Sequence, residues 1–175
     1  MSTKYVQTRS SGAANEWTGD DCGVGYDKAD DRFYINPDGT RRMVKTIGAS
    51  AGEVVTATNV ITALENGKTF YLNAVAGFLS TLPAPAVGLN YRFIVKTAPT
   101  SNGYTIGTNG GSNVIFGMAV ERAGGAGVAG SAEDLITLVA NQSIPGDFVY
   151  VESDGTNWYA YAMVDVSAGI TFTVT

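Results

Sequence analysis

The stretch GAGVAG, at residues 125–130, matches the G-x-G-x-x-G pattern of dinucleotide-binding loops. In such loops the glycines let the backbone approach a pyrophosphate at the start of a helix. The next twelve residues, SAEDLITLVANQ (131–142), fit either one helical face or a strand. The motif should follow directly from a buried strand, but ERAG separates it from the apolar run VIFGMAV. We therefore interpret the six residues as a flexible loop.

The sequence contains no histidine and one cysteine, Cys22. This composition excludes Ser-His-Asp and Cys-His nucleophile systems, most zinc sites and an internal disulfide. Adjacent carboxylates such as Glu133 and Asp134 would point to opposite faces of a strand, so they make no acid/base pair. Nor does the acidic segment 27–31 have the spacing of a calcium-binding loop. We expect no catalytic residue, no cofactor and no metal, and thus a protein that is not an enzyme.

Three residues suggest a sugar site, because carboxylate and amide groups beside an aromatic ring commonly hold carbohydrate. They are Asp154, Asn157 and Trp158. On a strand, however, Asn157 and Trp158 would point to opposite faces. Roles in a turn and in the core are therefore favoured.

Charge is distributed unevenly along the 175 residues. The formal net charge is −5, from 11 Lys and Arg against 16 Asp and Glu, which argues against a nucleic-acid partner. Residues 1–46 hold seven basic and seven acidic residues, and the remainder holds only four and nine. A surface so poor in charge indicates that other subunits cover part of it. No apolar run is long enough for a membrane span, so no membrane partner is expected.

Residues 1–46 are predicted to form an extended N-terminal arm with a small β-hairpin. The first part is rich in Gly, Ser and Asp yet carries aromatic residues at Tyr5, Trp17 and Tyr26. Tyr5 and Trp17 favour an extended arm that becomes ordered by docking onto a neighbouring molecule, and the alternative is a disordered tail. The following RFYINPDGTRRMVK (32–45) contains Asn-Pro-Asp-Gly, a type I turn sequence, and the main basic cluster.

Residues 47–175 consist of short β-prone runs separated by turn residues every eight to twelve positions or so. This pattern is typical of sandwiches and barrels. We predict an all-β fold, a β-sandwich of jelly-roll type preceded by the arm.

The segment GDFVYVESDGTNWYAYA (146–162) predicts a hairpin that is apolar on both faces. A two-residue turn at Asp154 and Gly155 would place Ser153 opposite Thr156. One face would then carry Val149, Val151, Trp158 and Ala160, and the other Phe148, Tyr150, Tyr159 and Tyr161. A sheet exposed on one side alternates apolar with polar residues. A second layer of this chain, or another chain, must therefore cover each face.

Two stretches carry a resemblance to a known group of proteins. They are FYLNAVAGFLSTLPAPAVGLNYRFIVKT (70–97), and the hairpin segment together with the closing AGITFT (168–173). Both resemble small virion structural proteins of tailed bacteriophages, namely capsid decoration (cement) and head-fibre proteins. The resemblance implies β-rich subunits, commonly homotrimers, made in the host cytoplasm and bound to the capsid exterior.

The resemblance covers roughly residues 60–175, without the arm, and implies a homo-oligomer. Of the two hairpin faces, we expect the one with Phe148, Tyr150, Tyr159 and Tyr161 to form the subunit interface. The arm would contact the major capsid protein through Tyr5, Arg9, Trp17, Arg32, Phe33, Arg41 and Arg42. The alternative is a tail-fibre or adhesin module that binds a host-surface glycan.

Overall fold

The computed structural model describes four strands within residues 1–49, and residues 52–175 with the exception of residues 123 and 126. The chain divides into two compact units, Met1–Ala49 and Ser50–Thr175. Among the residues that the structure describes, no helix is long and apolar enough to cross a bilayer.

The described residues of the first unit form one four-stranded sheet. Its strands are β1 (Gln7–Thr8), β2 (Gly23–Asp27), β3 (Arg32–Asn36) and β4 (Arg42–Val44), and they are hydrogen-bonded in that order. Strands β3 and β4, which lie within the predicted hairpin segment, pair antiparallel. Strand β2 pairs antiparallel with β3, so the sheet extends beyond the hairpin into the segment expected to be an extended arm.

In the second unit, hereafter the body, the described residues form twelve strands. They are β5 (Glu53–Val55), β6 (Asn59–Val60), β7 (Thr69–Leu72), β8 (Leu79–Thr81), β9 (Asn90–Val95), β10 (Tyr104–Gly107), β11 (Ile115–Glu121), β12 (Val128–Glu133), β13 (Leu135–Leu138), β14 (Phe148–Ser153), β15 (Trp158–Val164) and β16 (Ile170–Thr173). Two short 3-10 helices span Ala63–Glu65 and Ser167–Gly169.

These strands form two sheets around one core. The seven-stranded sheet has the order β12-β11-β15-β14-β9-β7-β5, and the five-stranded sheet has the order β16-β13-β10-β8-β6. Buried side chains of both sheets belong to a single hydrophobic cluster. The predicted all-β sandwich is therefore confirmed.

From β5 to β10 the chain alternates between the two sheets. Strands β5, β7 and β9 are parallel neighbours in one sheet, and β6, β8 and β10 are parallel neighbours in the other. Between two neighbouring strands of one sheet, the chain forms a strand of the other sheet and then returns. The two neighbouring strands therefore run in the same direction. Because jelly rolls are built from antiparallel strands, these parallel pairs leave the jelly-roll part of the prediction unconfirmed.

Alternation of side chains along the strands builds the core. In β9, Tyr91, Phe93 and Val95 are buried, while the residues between them point outward. The ring of Tyr91 lies 5.8 Å from that of Trp158, and Phe70 stacks on Phe93 at 5.4 Å. Aromatic pairs at these distances add attraction to the burial of apolar area.

The chain passes from β12 to β13, and so from one sheet to the other, within very few residues. Ile115 pairs with Glu133 and Phe116 with Ser131, which leaves Ala132 as the extra residue of a β-bulge. Ala132 has a φ of 61°, and only Asp134 separates the two strands. Bulges bend strands sharply. The segment 131–142, for which a helical face was considered, thus begins as two strands joined by a corner.

The β14–β15 hairpin has the predicted faces but a different register. Ser153 pairs with Trp158, not Thr156, so the predicted pairing was wrong by two residues. Asp154 Oδ1 accepts hydrogen bonds from the backbone N–H groups of Thr156 and Asn157, both at 2.8 Å. A type I′ turn needs positive φ at both central residues, but only Gly155 has it. A shift of two residues keeps every side chain on its predicted face.

Candidate protein interaction surface

The outward side of the seven-stranded sheet is a broad apolar surface, which we call the outer face. We define it by three register rows that cross the sheet. The first row is Val54, Tyr71, Ile94, Phe148, Met163 and Val120. The second is Thr69, Arg92, Tyr150, Tyr161, Met118 and Ala129. The third is Asn90, Glu152, Tyr159, Phe116 and Ser131.

Large apolar side chains on this face remain in contact with solvent. Met118 is 58% exposed, Val120 56% and Met163 49%, and Tyr161 and Val54 are each 47% exposed. Monomeric proteins seldom expose a contiguous apolar patch of this width, and such patches commonly mark interaction sites. The outer face is therefore the candidate functional surface of the body.

Ring contacts order the aromatic residues at the centre of the face. Tyr150 stacks with Tyr161 at 6.5 Å, and Phe116 lies 6.3 Å from Tyr159. The Arg92 guanidinium lies over the Phe148 ring at 4.7 Å. These contacts limit side-chain motion before any partner binds, which lowers the entropy lost on binding.

The structure brings the four predicted interface residues together. Phe148, Tyr150, Tyr159 and Tyr161 all lie on the outer face, as the alternation of the hairpin predicts. Their role in a subunit interface stays a prediction. Sequence reasoning missed their neighbours Met118 and Val120, which join the face only through the parallel pairing of β11 with β15. No local pattern signals that pairing.

The predicted capsid-contact residues lie in the first unit. Arg32 and Phe33 are in β3 and Arg42 is in β4, with Arg32 opposite Asp27 and Phe33 opposite Val44. The other four lie outside the described residues: Tyr5, Arg9, Trp17 and Arg41. Their proposed contacts stay predictions.

Two shallow grooves border the outer face. One has a volume of about 380 Å³ and lies between Lys68, Arg92, Phe148 and Tyr150. The other has a volume of about 330 Å³ and is lined by Asn90, Glu152, Asp154 and Tyr159, among others. The Tyr159 hydroxyl donates to Asp154 Oδ2 at 3.0 Å. Hydrogen bonds from Asn157 and Thr156 hold the pKa of the Asp154 carboxyl below its usual value.

An ion-pair cluster lies beside the first groove. Lys68 Nζ bonds Glu53 and also Glu65 Oε1, the latter at 3.1 Å. Burial alone would lower the pKa of Lys68, but the hydrogen bonds to both carboxylates raise it above its ordinary value. Burial raises the pKa of Glu65, yet hydrogen bonds from Thr62 and Lys68 lower it overall. The cluster is satisfied internally, so it offers no free cation to a ligand.

Buried carboxylates in the body have structural partners. Asp147 accepts from the backbone N–H groups of Ile144 and Asp165, both at 3.0 Å, and burial raises its pKa. Asp134 accepts from the backbone N–H of Thr175 at 3.1 Å and its hydroxyl at 2.6 Å. Within the described ranges, no group of three or more metal-ligating side chains occurs.

The features first considered for ligand chemistry have structural roles. The last three residues of GAGVAG (128–130) begin β12, which pairs antiparallel with β11, so the prediction that all six residues form a loop was wrong for this half. The strand-to-helix step of a dinucleotide site is missing there. Trp158 is fully buried and cannot form a platform for a sugar. Asp154 closes the hairpin turn, as expected from its position.

The outward side of the five-stranded sheet has a different chemistry. Thr105 pairs with Thr137 and Thr137 with Thr171, while Leu135 and Leu79 flank Gly107. This threonine-rich face carries no charged residue on its strands.

No protein-family model matches the chain, and no curated protein sequence matches it.

Proposed function

We propose that the protein is a non-enzymatic virion structural protein that binds the outside of a phage capsid as an oligomer and cements it. The observation that carries this proposal is the outer face, whose apolar residues require cover from outside the body. The resemblance of residues 70–97, 146–162 and 168–173 to phage decoration proteins supplies the context. It suggests a trimer.

The division of the chain into two units supports two separate tasks. The first unit holds seven of the eleven basic residues and the predicted capsid-contact residues. The body holds the outer face. We propose that the first unit binds the major capsid protein, partly through Arg32, Phe33 and Arg42, and that the body joins subunits.

Cementing follows from summed contacts. A capsid under internal pressure opens along the seams between capsomers, and an oligomer with several capsid-binding units can span such a seam. Linked weak contacts bind far more tightly than each contact alone, provided that all can engage together. Association of subunits through the body therefore lets several weakly binding first units hold the capsid together, with a higher combined affinity.

Co-sedimentation tests this function. Purified protein is mixed with phage heads that lack it and, separately, with host cells, and each pellet is measured over a range of protein concentrations. We expect saturable retention on heads. Retention on cells alone would contradict the proposal.

Removal of residues 1–30 tests the anchor. This deletion removes Tyr5, Arg9 and Trp17 and leaves the whole body in place. We expect loss of retention on heads with an unchanged oligomer mass. A deleted protein that still saturates the heads would show that the anchor lies elsewhere.

The second candidate function is binding of a host-surface glycan. The observation that favours it is the groove formed by Asn90, Glu152, Asp154 and Tyr159, which combines amide, carboxylate and aromatic groups. In this case the isolated protein would bind cells, and Tyr159→Ala with Glu152→Gln would abolish that binding.

A further inference from the structure

We infer that the outer face packs against the same face of a second copy of this chain, in a contact with two-fold symmetry. The inference rests on the self-association included in the proposed function. It adds how far the buried surface extends beyond the four predicted interface residues, and which symmetry relates the subunits. It also departs from the trimer that the resemblance suggests.

The apolar character of the face runs without interruption across six strands. The row from Val54 to Val120 contains only apolar or aromatic residues, one from each of β5, β7, β9, β14, β15 and β11. Val54 and Val120 at the two ends of the row, and Met163 between them, are each about half exposed. Removal of such side chains from water favours association in proportion to the apolar area that is buried. A polar or extended peptide partner would leave most of this width uncovered.

The size of the face fits a protein–protein contact. Strands lie about 4.8 Å apart and alternate residues about 6.8 Å apart along a strand, so six strands by three rows cover roughly 600 Å² of flat area. A standard interface buries about 800 Å² of accessible surface on each partner. Side chains roughen the surface and raise its accessible area above the flat value. The face can therefore support a specific dimer without further contacts.

Charge on the face also favours a second copy. Within the three rows, Arg92 is the one cation and Glu152 the one anion, so two such faces meet without net repulsion. Neither residue has an ion-pair partner in the part of the chain that the structure describes. A strongly basic or strongly acidic partner would need several residues of opposite charge, and the three rows offer only one of each sign. An anionic lipid surface is disfavoured too, because it attracts clusters of basic residues.

Geometry favours two-fold pairing over head-to-tail packing. The outer face and the threonine-rich face are the outward sides of the two layers of a sandwich, so they point in opposite directions. Packing one against the other would repeat along a line and give an open stack. Packing of the outer face against itself closes after two subunits. It buries the apolar first row of both copies together with the aromatic residues of the other two rows.

Mass measurement with two matched variants tests the inference. Met163→Glu introduces a charge into the first row at a half-exposed position, and Thr171→Glu introduces the same charge on the threonine-rich face. By light scattering we expect twice the 18.2 kDa chain mass for the natural protein and for Thr171→Glu. For Met163→Glu we expect the mass of one chain, with an unchanged circular dichroism spectrum.

Several results would overturn the inference. They are a natural protein with the mass of one chain, a mass of three chains, or dissociation by Thr171→Glu in place of Met163→Glu. A monomer whose outer face loses hydrogen-exchange protection on removal of residues 1–30 would show that the chain covers the face itself. All of these measurements use the isolated protein without phage heads. Their results therefore test the two-fold contact separately from capsid binding.

Cysteine cross-linking tests the symmetry directly. In a Cys22→Ser background, single cysteines are placed across the second row, at Thr69, Tyr150 and Tyr161, with Thr137→Cys on the other sheet as the control. A two-fold axis brings a residue near its own copy only where the axis passes close to that residue. The second row runs through the middle of the outer face, where the axis of a face-to-face pair should lie, so at least one of the three should form a disulfide-linked dimer on mild oxidation. Equal cross-linking at Thr137, or none in the second row, would contradict two-fold pairing.

Discussion

Ala132 carries the most evident local strain of the body. Its φ of 61° lies in the left-handed region, which an L-residue with a Cβ atom adopts at a cost of about 1–2 kcal/mol. The residue is exposed and forms the bulge at which the chain changes sheet. The strained residue makes the sharp bend that carries the chain from β12 in one sheet to β13 in the other. Packing of these two strands in their separate layers offsets the cost of the strain.

Substitution of Ala132 by glycine should stabilise the body by about 0.5–1 kcal/mol, because glycine adopts this conformation without a steric cost. Ala129→Gly is the matched control, since Ala129 is an exposed residue of the same strand opposite Met118. The control should destabilise the protein by a similar amount. Urea midpoints measure both changes. If Ala132→Gly lowers the stability of the protein, the backbone at Ala132 is not strained as we infer.

Tyr91 links the core to the loop before β7, because its hydroxyl donates to the Thr62 carbonyl at 3.0 Å. Burial, with a smaller contribution from the Glu65 charge, raises the pKa of Tyr91 to about 12 from an ordinary 10.0. The unfolded chain therefore loses this proton at a lower pH than the folded chain. The stability that Tyr91 contributes is complete below pH 10 and is lost as the pH rises toward 12.

The expected result is alkaline unfolding that depends on Tyr91. The thermal midpoint of the natural protein should fall between pH 10 and 12. In the same range, the phenolate absorbance of Tyr91 should appear only when the protein unfolds. Tyr91→Phe should show a smaller fall over that range. If the variant and the natural protein lose stability in parallel, ionisation of Tyr91 does not control the transition.

At the scale of the element, the β14–β15 hairpin shows what a local pattern can predict. The alternation of apolar residues fixed which side chains share a face, and the structure confirms both faces. The turn was less predictable, because Asp154 can occupy an open four-residue loop as well as a two-residue turn. Its two hydrogen bonds to the backbone at Thr156 and Asn157 decide the outcome.

Asp154→Ala should lower the thermal midpoint at pH 7, since it removes the acceptor of both turn hydrogen bonds. The folded chain holds the pKa of Asp154 below 3.8, so the stabilisation is present above that pH and is lost as the pH falls through the lower folded value. The difference in midpoint between the two proteins should therefore shrink on acidification. A constant difference down to pH 2 would assign the effect to packing alone.

At the scale of the whole molecule, the sequence predicted the layers but not their connections. Short runs with period two indicate strands and turn residues mark their ends, so the all-β sandwich was predictable. The parallel winding of β5 to β10 depends on contacts between residues far apart in the chain, which no local pattern encodes. For this reason Phe148 and Tyr161 were identified as surface candidates, while Met118, Val120 and Val54 were not.

The thermal release of DNA from phage heads tests cementing most directly. Heads that lack the protein are titrated with it, and the temperature at which DNA becomes accessible to a dye is recorded. We predict that this temperature rises with added protein and reaches a plateau at saturation, and that protein without residues 1–30 has no effect. An unchanged release temperature on heads that have bound the protein would contradict the cementing role.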